Sequence, residues 1–155
     1  MTWRISNNDL NAMLDALATN HANGAILIYE GSQPANAHAA PTGKYLGKVT
    51  VGGGAWEAGQ PTNGLNFKAA AGRALKKADN ETWQIKGEAD GTAGWFRFVG
   101  NAADDGAADS TESTPRIDGR IAVSGAEMNL SNTQIVTGAT TTIDSFELRW
   151  PANVL

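Results

Sequence analysis

The last third of the chain consists of short segments of alternating hydrophobicity, and this pattern constrains the fold more than any other feature. The segments are WFRFVG (95–100), RIDGRIAVSG (116–125), AEMNLSN (126–132) and TTTIDSFELRWP (140–151). Alternation over four to eight residues is typical of half-buried strands, and the Gly, Asp, Asn and Thr between the segments favour turns. Few side chains here can perform chemistry. The pattern therefore predicts a mainly β architecture and says little by itself about function.

Composition bounds the classes of protein to which the chain can belong. The chain has 155 residues, of which 41% are hydrophobic. We therefore expect one domain over residues 1–155, with a core that needs no disulfide or metal cross-links. Cys is absent, which excludes disulfides and thiolate metal sites. A net charge of −4 without a sizeable basic cluster argues against a nucleic-acid partner. No apolar run approaches the roughly 18 residues of a membrane span, and the N-terminal residues do not resemble a signal peptide. We therefore expect a protein that is made in the cytoplasm and has no membrane partner.

One amphipathic helix is predicted near the start of the chain, over about residues 8–20. Leu10, Met13, Leu14 and Leu17 fall at i, i+3, i+4 and i+7, which places them on one apolar stripe. Ser6 or one of the two asparagines that follow it can cap the first turn, and an Asn-Gly pair at 23–24 supplies a stop. This stripe is expected to lie on a sheet or on a neighbouring subunit.

The rest of the chain predicts about eight or nine strands with turns every 8–12 residues, the spacing of an antiparallel β-sandwich or barrel. Continuous hydrophobicity in AILIYEG (25–31) predicts a strand that is buried on both faces. Further strands are predicted at 44–51, 65–70 and 82–89. In the final segment, Ile143 and Phe146 have opposite parity, which predicts a bulge or a new strand start near Ser145. Residues 101–115 are acidic and lack an apolar anchor, so this segment is predicted to be an exposed, mobile loop.

The sequence offers no convincing catalytic or metal-binding set. The only histidines, His21 and His38, lie at the helix end and in a Pro/Ala loop, where solvated surface histidines are the expectation. Oxygen ligands for Ca²⁺ could come from the acidic loop, but the EF-hand order is missing and a solvated loop is the favoured interpretation. The acidic side chains concerned are Asp104, Asp105, Asp109 and Glu112. We therefore predict no catalytic residue, no metal and no cofactor.

Five tryptophans carry the remaining signal, because aromatic side chains on a β scaffold can stack sugars or anchor protein interfaces. Trp83, Trp95 and Trp150 lie within predicted strands and are expected in the core. Trp3 and Trp56 lie in less regular segments, so they are the predicted contacts with another chain.

Several short sequence motifs occur in an order that resembles the order of motifs in a group of small virion-associated proteins of tailed bacteriophages and prophages. They are a short helix with LNAMLDAL, the strand and loop ILIYEGSQP (26–34), the strand GTAGWFR (91–97), and the closing module GRIAVSGAEMNL to IDSF. The resemblance covers roughly residues 10–151. The chain departs from the family in its longer, acidic segment 101–115 and in the charges at 73–77.

The resemblance implies a non-enzymatic virion structural protein with a jelly-roll-like sandwich fold. The leading interpretation is a capsid decoration or cement protein on the capsid surface, which bridges subunits of the major capsid protein. Such a protein is expected to bind copies of itself, and a homotrimer is favoured. Two alternatives remain at this stage: a tail or head–tail connector protein of the virion, and a carbohydrate-binding module that grips glycans with exposed tryptophans.

Overall fold

The computed structural model describes residues 4–143 and 145–150, which form one helix and ten strands. Helix α1 spans Asn7–Asn20. The strands are β1 Ala25–Glu30, β2 Tyr45–Val51, β3 Ala74–Lys76, β4 Trp83–Gly87, β5 Gly91–Val99, β6 Arg116–Ala122, β7 Met128–Asn129, β8 Gln134–Ile135, β9 Thr140–Ile143 and β10 Glu147–Arg149. The mainly β prediction with one short helix is confirmed.

Eight of these strands form one curled sheet in the order β7-β6-β5-β1-β2-β4-β9, with β8 paired to the start of β5. Strands β10 and β3 form a separate two-stranded sheet. The expectation of a purely antiparallel sheet is wrong, because β7 runs parallel to β6. The chain loops back after Ala122, so that Ile121 pairs with Met128 and the Met128 side chain is fully buried.

The main core lies on one face of the curled sheet and is rich in aromatic residues. Five rings form a continuous cluster, with neighbouring centroids 5.3–6.2 Å apart. The rings belong to Phe67, Trp83, Phe96, Phe98 and Phe146. Aliphatic side chains from β1, β2 and β4 complete this core. Its size explains how the chain does without disulfides.

Helix α1 begins and ends as its sequence predicts. Ser6 is the N-cap, and its Oγ accepts a hydrogen bond of 3.1 Å from the Asp9 amide. Leu10 and Leu14 are buried, but Met13 is exposed, so the apolar stripe is narrower than predicted. The helix lies against β3 and the chain before it, where Asp15 accepts from the Ala70 amide at 2.7 Å.

The prediction of a strand at residues 65–70 is wrong. Leu65 makes one bridge to Gly24 and Phe67 makes one to Lys77, so the segment pairs with two different partners and forms no ladder. The strand of this region is β3, a few residues later, where it pairs with β10. The predicted break near Ser145 is confirmed, because β9 joins the curled sheet and β10 joins the two-stranded sheet.

Candidate functional site

The second face of the curled sheet carries a smaller cluster that three loops cover. Leu27 and Tyr29 of β1, with Trp95 and Val99 of β5, point to this face and are buried. The covering loops are residues 31–44, 52–64 and 100–115. A buried side chain makes a hydrogen bond in each loop: Trp95 Nε1 donates to Thr42 O at 3.1 Å, Trp56 Nε1 to Asn23 O at 2.8 Å, and Arg97 Nη1 to Gly106 O at 3.2 Å.

A cleft of about 450 Å³ opens between the sheet and two of these loops, 31–44 and 100–115. Its lining combines apolar and aromatic side chains with three charges. The lining residues are Leu27, Tyr29, Pro41, Gly43, Tyr45, Lys48, Glu88, Asp105 and Ala107. A concave surface with an aromatic lining and a few polar groups is the usual form of a binding site in proteins. We refer to it below as the tyrosine cleft.

Two tyrosines on neighbouring strands form the corner of the tyrosine cleft. Tyr29 pairs with Tyr45 across β1 and β2, with ring centroids 5.7 Å apart and ring planes at 62°. Behind Tyr29, the Trp95 ring is stacked at 4.5 Å and 15°. These contacts fix the orientation of Tyr29, so the corner is preorganised.

The phenol groups of both tyrosines stay protonated over the physiological range. Burial raises the pKa of Tyr29 to about 12. Burial also raises the pKa of Tyr45 well above its ordinary value, and the Glu88 carboxylate reinforces this shift by accepting the Tyr45 hydroxyl at 2.8 Å. Tyr45 therefore acts as a hydrogen-bond donor that fixes Glu88 at the edge of the cleft.

A buried ion pair anchors the acidic loop beside the cleft. The Arg97 guanidinium donates from Nε and Nη2 to the two carboxylate oxygens of Asp118, both at 2.8 Å. The two side chains are 0% and 5% exposed. Because the third nitrogen of Arg97 reaches the Gly106 carbonyl, the pair ties the acidic loop to β5 and β6.

A second arginine holds the same loop from β6. Arg116 donates from Nε and Nη2 to the carboxylate of Asp104 at 2.8 and 2.7 Å, and from Nη1 to the Ala108 carbonyl at 2.9 Å. These hydrogen bonds hold the pKa of Asp104 below its ordinary value. Asp109 in turn accepts from the Ala40 amide at 2.6 Å, which joins the acidic loop to the loop 31–44. Most residues of the loop are exposed, as expected. The sequence predicted a mobile loop because it lacks an apolar anchor, but ion pairs and hydrogen bonds anchor it instead.

The structure places one of the two predicted interface tryptophans, Trp56, differently from the sequence interpretation. Trp56 is only 6% exposed, because its ring packs in the second-face cluster and its indole nitrogen holds its own loop. The irregular segment around it thus gave a misleading impression of exposure, and the argument for Trp56 as a contact with another chain loses its basis. Trp3 lies outside the described residues.

The other tryptophans bear on the carbohydrate-binding alternative. Trp83 and Trp95 are fully buried, as predicted, and Trp150 is partly buried. A glycan-stacking site made of exposed tryptophans therefore has no support among the residues that the structure describes. In the tyrosine cleft, Tyr45 is partly exposed and Tyr29 is buried.

The histidines and carboxylates also have defined places. His21 is buried rather than solvated, with its Nδ1 2.9 Å from the Leu17 carbonyl, and burial lowers its pKa. His38 is partly buried in the loop 31–44. Of the acidic residues considered for Ca²⁺, Asp104 is occupied by Arg116. Within residues 4–143 and 145–150, no three His, Asp or Glu side chains converge as metal ligands would.

Sequence reasoning missed Tyr29, Tyr45 and Glu88 as a site, although part of the signal was present. Tyr29 alternates with the core residue Ile28, which already places the tyrosine on the opposite face of β1. The register that sets Tyr29 against Tyr45 includes a bulge, and local sequence does not reveal it.

Comparison with known proteins gives no match: no protein-family model, curated protein or solved structure is similar to this chain. Among the described residues, no helix combines the length and the apolar character that crossing a bilayer requires. The relation to phage virion proteins therefore remains a prediction from sequence phrases.

Proposed function

We propose that this chain is a structural protein of a tailed-bacteriophage virion, a decoration or cement protein that stabilises the head by bridging subunits of the major capsid protein. The observation that carries the proposal is the ordered set of phrases shared with small virion proteins. Three of these phrases fall on neighbouring strands of the curled sheet: ILIYEG on β1, GTAGWFR on β5 and GRIA on β6. The resemblance thus covers a contiguous part of the sheet.

The build of the molecule supports a role in which the protein acts as a rigid body. Both faces of the sheet are covered, and the loops on the second face are fixed by buried side chains. A bridging protein gains affinity from many modest contacts made at once, and rigid partners lose little entropy when they bind. We propose that it acts on the outer capsid surface as a homotrimer.

The finer fold assignment, a sandwich related to the jelly roll, belongs to the same proposal. Leu148 of the two-stranded sheet packs against the main core, and Phe146 just before it is buried there. The two-stranded sheet thus supplies the beginning of a second layer over the curled sheet. A solution structure in which β3 and β10 separate from the main core would contradict this assignment.

Two exposed valines are candidates for the contact with the shell. Val123 and Val136 are 66% and 54% exposed. They follow strands β6 and β8, which pair with β5 at residues 95–99 and 91–92, respectively. Substitution of both with Asp should weaken binding of the purified protein to capsids that lack it. Met13→Asp is the matched control, since Met13 is equally apolar and 45% exposed but lies on helix α1.

The decisive experiment is the composition and stability of purified virions. We expect mass spectrometry to find the chain in many copies per particle, and particles that lack it to release their genome at a lower temperature. Absence of the chain from virions, or unchanged heat resistance without it, would refute the proposal. A density map that places the chain at the tail vertex or along the tail would assign it instead to the tail or connector.

A further inference from the structure

We propose that the tyrosine cleft binds a basic side chain, an arginine or a lysine, presented by a partner polypeptide. The proposal goes beyond the virion role and does not depend on it, because it rests on the geometry and charge of the cleft and is tested on the isolated protein.

The aromatic corner supplies the first part of the argument. Tyr29 and Tyr45 both line the cleft, with ring planes at 62° and centroids 5.7 Å apart. Tyr45 is partly exposed and Tyr29 is 4% exposed, so a group in the corner contacts chiefly the Tyr45 ring. Cations are attracted to tyrosine rings within about 6 Å of the ring centre, and the attraction grows as water is excluded. Trp95 stacks on Tyr29, and Pro41 also lines the cleft, so apolar and aromatic groups limit the access of water to the corner.

Charge supplies the second part. Glu88 and Asp105 line the cleft, and neither has a cationic partner among the residues that the structure describes. The adjoining segment 101–115 contains four acidic residues and no basic one, and of these only Asp104 is neutralised, by Arg116. A negative rim over an aromatic corner is complementary to a cation and repels an anion.

Lys48 is the one cation in the lining, and its position leaves the corner open. Its ammonium lies 5.8 Å from the centre of the Trp56 ring, in a neighbouring groove that shares Lys48 and Glu88 with the cleft. It forms no ion pair with Glu88 or Asp105. The lining therefore has two carboxylates against one ammonium, a surplus of one negative charge.

The dimensions of the cleft admit a long side chain. A volume of about 450 Å³ lies in the lower part of the range of about 300–1,000 Å³ seen for sites that enclose small ligands. The cleft is bounded by the loops 31–44 and 100–115, so a long side chain can enter while the backbone that carries it stays at the rim. A contrasting depression of about 390 Å³ is lined by Glu127, Glu147 and Arg149, whose charges already pair within the chain.

The test is an NMR titration of the full ¹⁵N-labelled chain with the peptide acetyl-Gly-Arg-Gly-amide. Its neutral counterpart carries citrulline in place of arginine and has nearly the same shape. We expect the arginine peptide to shift the amide signals of Tyr29, Gly43, Tyr45 and Ala107 in a saturable manner, and the citrulline peptide to shift them far less. Equal binding of the two peptides, or shifts spread evenly over the surface, would overturn the proposal.

Charge-matched variants separate a built site from general attraction. Glu88→Gln and Asp105→Asn should each weaken binding of the arginine peptide by about threefold, the size expected for a solvent-exposed ion pair. Glu112→Gln removes the same charge from a part of the acidic loop that does not line the cleft. The affinity of this variant for the arginine peptide should equal that of the wild type. Tyr45→Leu should weaken binding of the arginine peptide further, because it removes the aromatic ring. Tyr45→Phe keeps the ring and should therefore bind the peptide more tightly than Tyr45→Leu. A loss in Glu112→Gln as large as in Glu88→Gln would also overturn the proposal.

Discussion

Arg97 is a charged side chain buried as completely as the neighbouring Trp95. The chain tolerates this charge because all three guanidinium nitrogens have acceptors, two on Asp118 and one at Gly106. A charge removed from water is tolerable only when it is paired and hydrogen-bonded. Loss of one partner leaves the other charge buried and unpaired. The Arg97 side chain also lies 5.5 Å from the centre of the Trp95 ring, which places it beside the tyrosine cleft.

Removal of Arg97 alone should therefore be severe. We expect Arg97→Met to lower the free energy of unfolding by about 3–5 kcal/mol, because Asp118 would remain buried without its partner. The double variant Arg97→Met with Asp118→Leu should recover much of this loss, since a matched apolar pair has no charge to desolvate. Urea unfolding followed by circular dichroism measures both effects.

Arg120→Met is the matched control for this experiment. Arg120 lies on β6 beside β5 and pairs with Glu127, but the two side chains are 65% and 45% exposed. We expect this variant to lose less than about 1 kcal/mol. Equal losses in Arg97→Met and Arg120→Met would contradict the structural importance of the buried pair.

The lowered pKa of Asp104 predicts a contribution to stability that is lost in acid. Hydrogen bonds from Arg116 hold the pKa of Asp104 below its ordinary value of 3.8. Because the folded pKa is the lower one, the ionised carboxylate stabilises the fold fully above the unfolded pKa, and this contribution is lost as pH falls through the folded pKa. We expect the free energy of unfolding to decrease below about pH 4, and Asp104→Asn to remove that part of the slope.

Unfolding curves over a series of pH values, for the wild type and Asp104→Asn, make this measurement. An unchanged slope in the variant would show that the Asp104–Arg116 pair does not contribute to the acid response. Asp79→Asn is a useful comparison, because the pKa of Asp79 is lowered by exposed Lys68 and salt should weaken that effect.

At the scale of elements, Gly106 packs the acidic loop closely against the second face of the sheet. Gly106 has a φ of +73°, and a Cβ there would lie 2.6 Å from Leu27 Cδ1 and 3.0 Å from Val99 Cγ1. A side chain at this position would therefore lift the loop from the second face of the sheet. Since Asp105 and Ala107 line the tyrosine cleft, the same displacement would change the rim of the cleft.

Gly106→Ala and Gly125→Ala form a matched pair that tests this contact. Gly125 has nearly the same φ, +71°, but no atom lies within 4 Å of its added Cβ. Both variants should lose about 1 kcal/mol because of the left-handed backbone. Gly106→Ala should lose a further 1–3 kcal/mol or so from overpacking, and proteases should cut the loop 101–115 faster. Equal stability of the two variants would contradict the packing of Gly106.

The elements show which parts of the fold local sequence predicts. Helix α1 and strands β1 and β5 were predictable because their periodicity and their capping or turn residues agree. The segment 65–70 was not, because Leu65 and Phe67 bridge to partners 41 and 10 residues away. The anchors of the acidic loop were hidden for the same reason. From the sequence, Asp104 is expected to be a solvated carboxylate. In the fold, β6 places Arg116 next to it, and the two form an ion pair.

At the scale of the whole molecule, the aromatic cluster joins segments that are far apart in the sequence. Phe146 lies within 5.5–6.2 Å of Phe67, Trp83, Phe96 and Phe98, measured between ring centroids. It thus connects the last strands of the chain to β4 and β5. The parity break near Ser145 predicted a change of strand here, but the long-range ring contacts depend on the curl of the sheet.

Phe146→Ala should destabilise the entire fold by about 3–5 kcal/mol, because it removes a large buried ring and leaves a cavity between segments. Val136→Ala, at a side chain that is 54% exposed, should stay within about 0.5 kcal/mol of the wild type. Chemical unfolding monitored by tryptophan fluorescence and by circular dichroism should give one coincident transition in each case. A loss confined to the two-stranded sheet, with the remainder folded, would contradict this cooperative role.

The order of the curled sheet ends in two very short strands, β7 with two residues and β9 with four. Long exposed edges invite strand addition from other molecules, and short edges are one of the ways in which proteins prevent it. Among the described residues, however, β7 pairs only with Ile121 and Ala122, so the outer edge of β6 from Arg116 to Arg120 has no neighbouring strand. A polypeptide that extends this sheet would therefore add along β6, at the β7 end of the sheet.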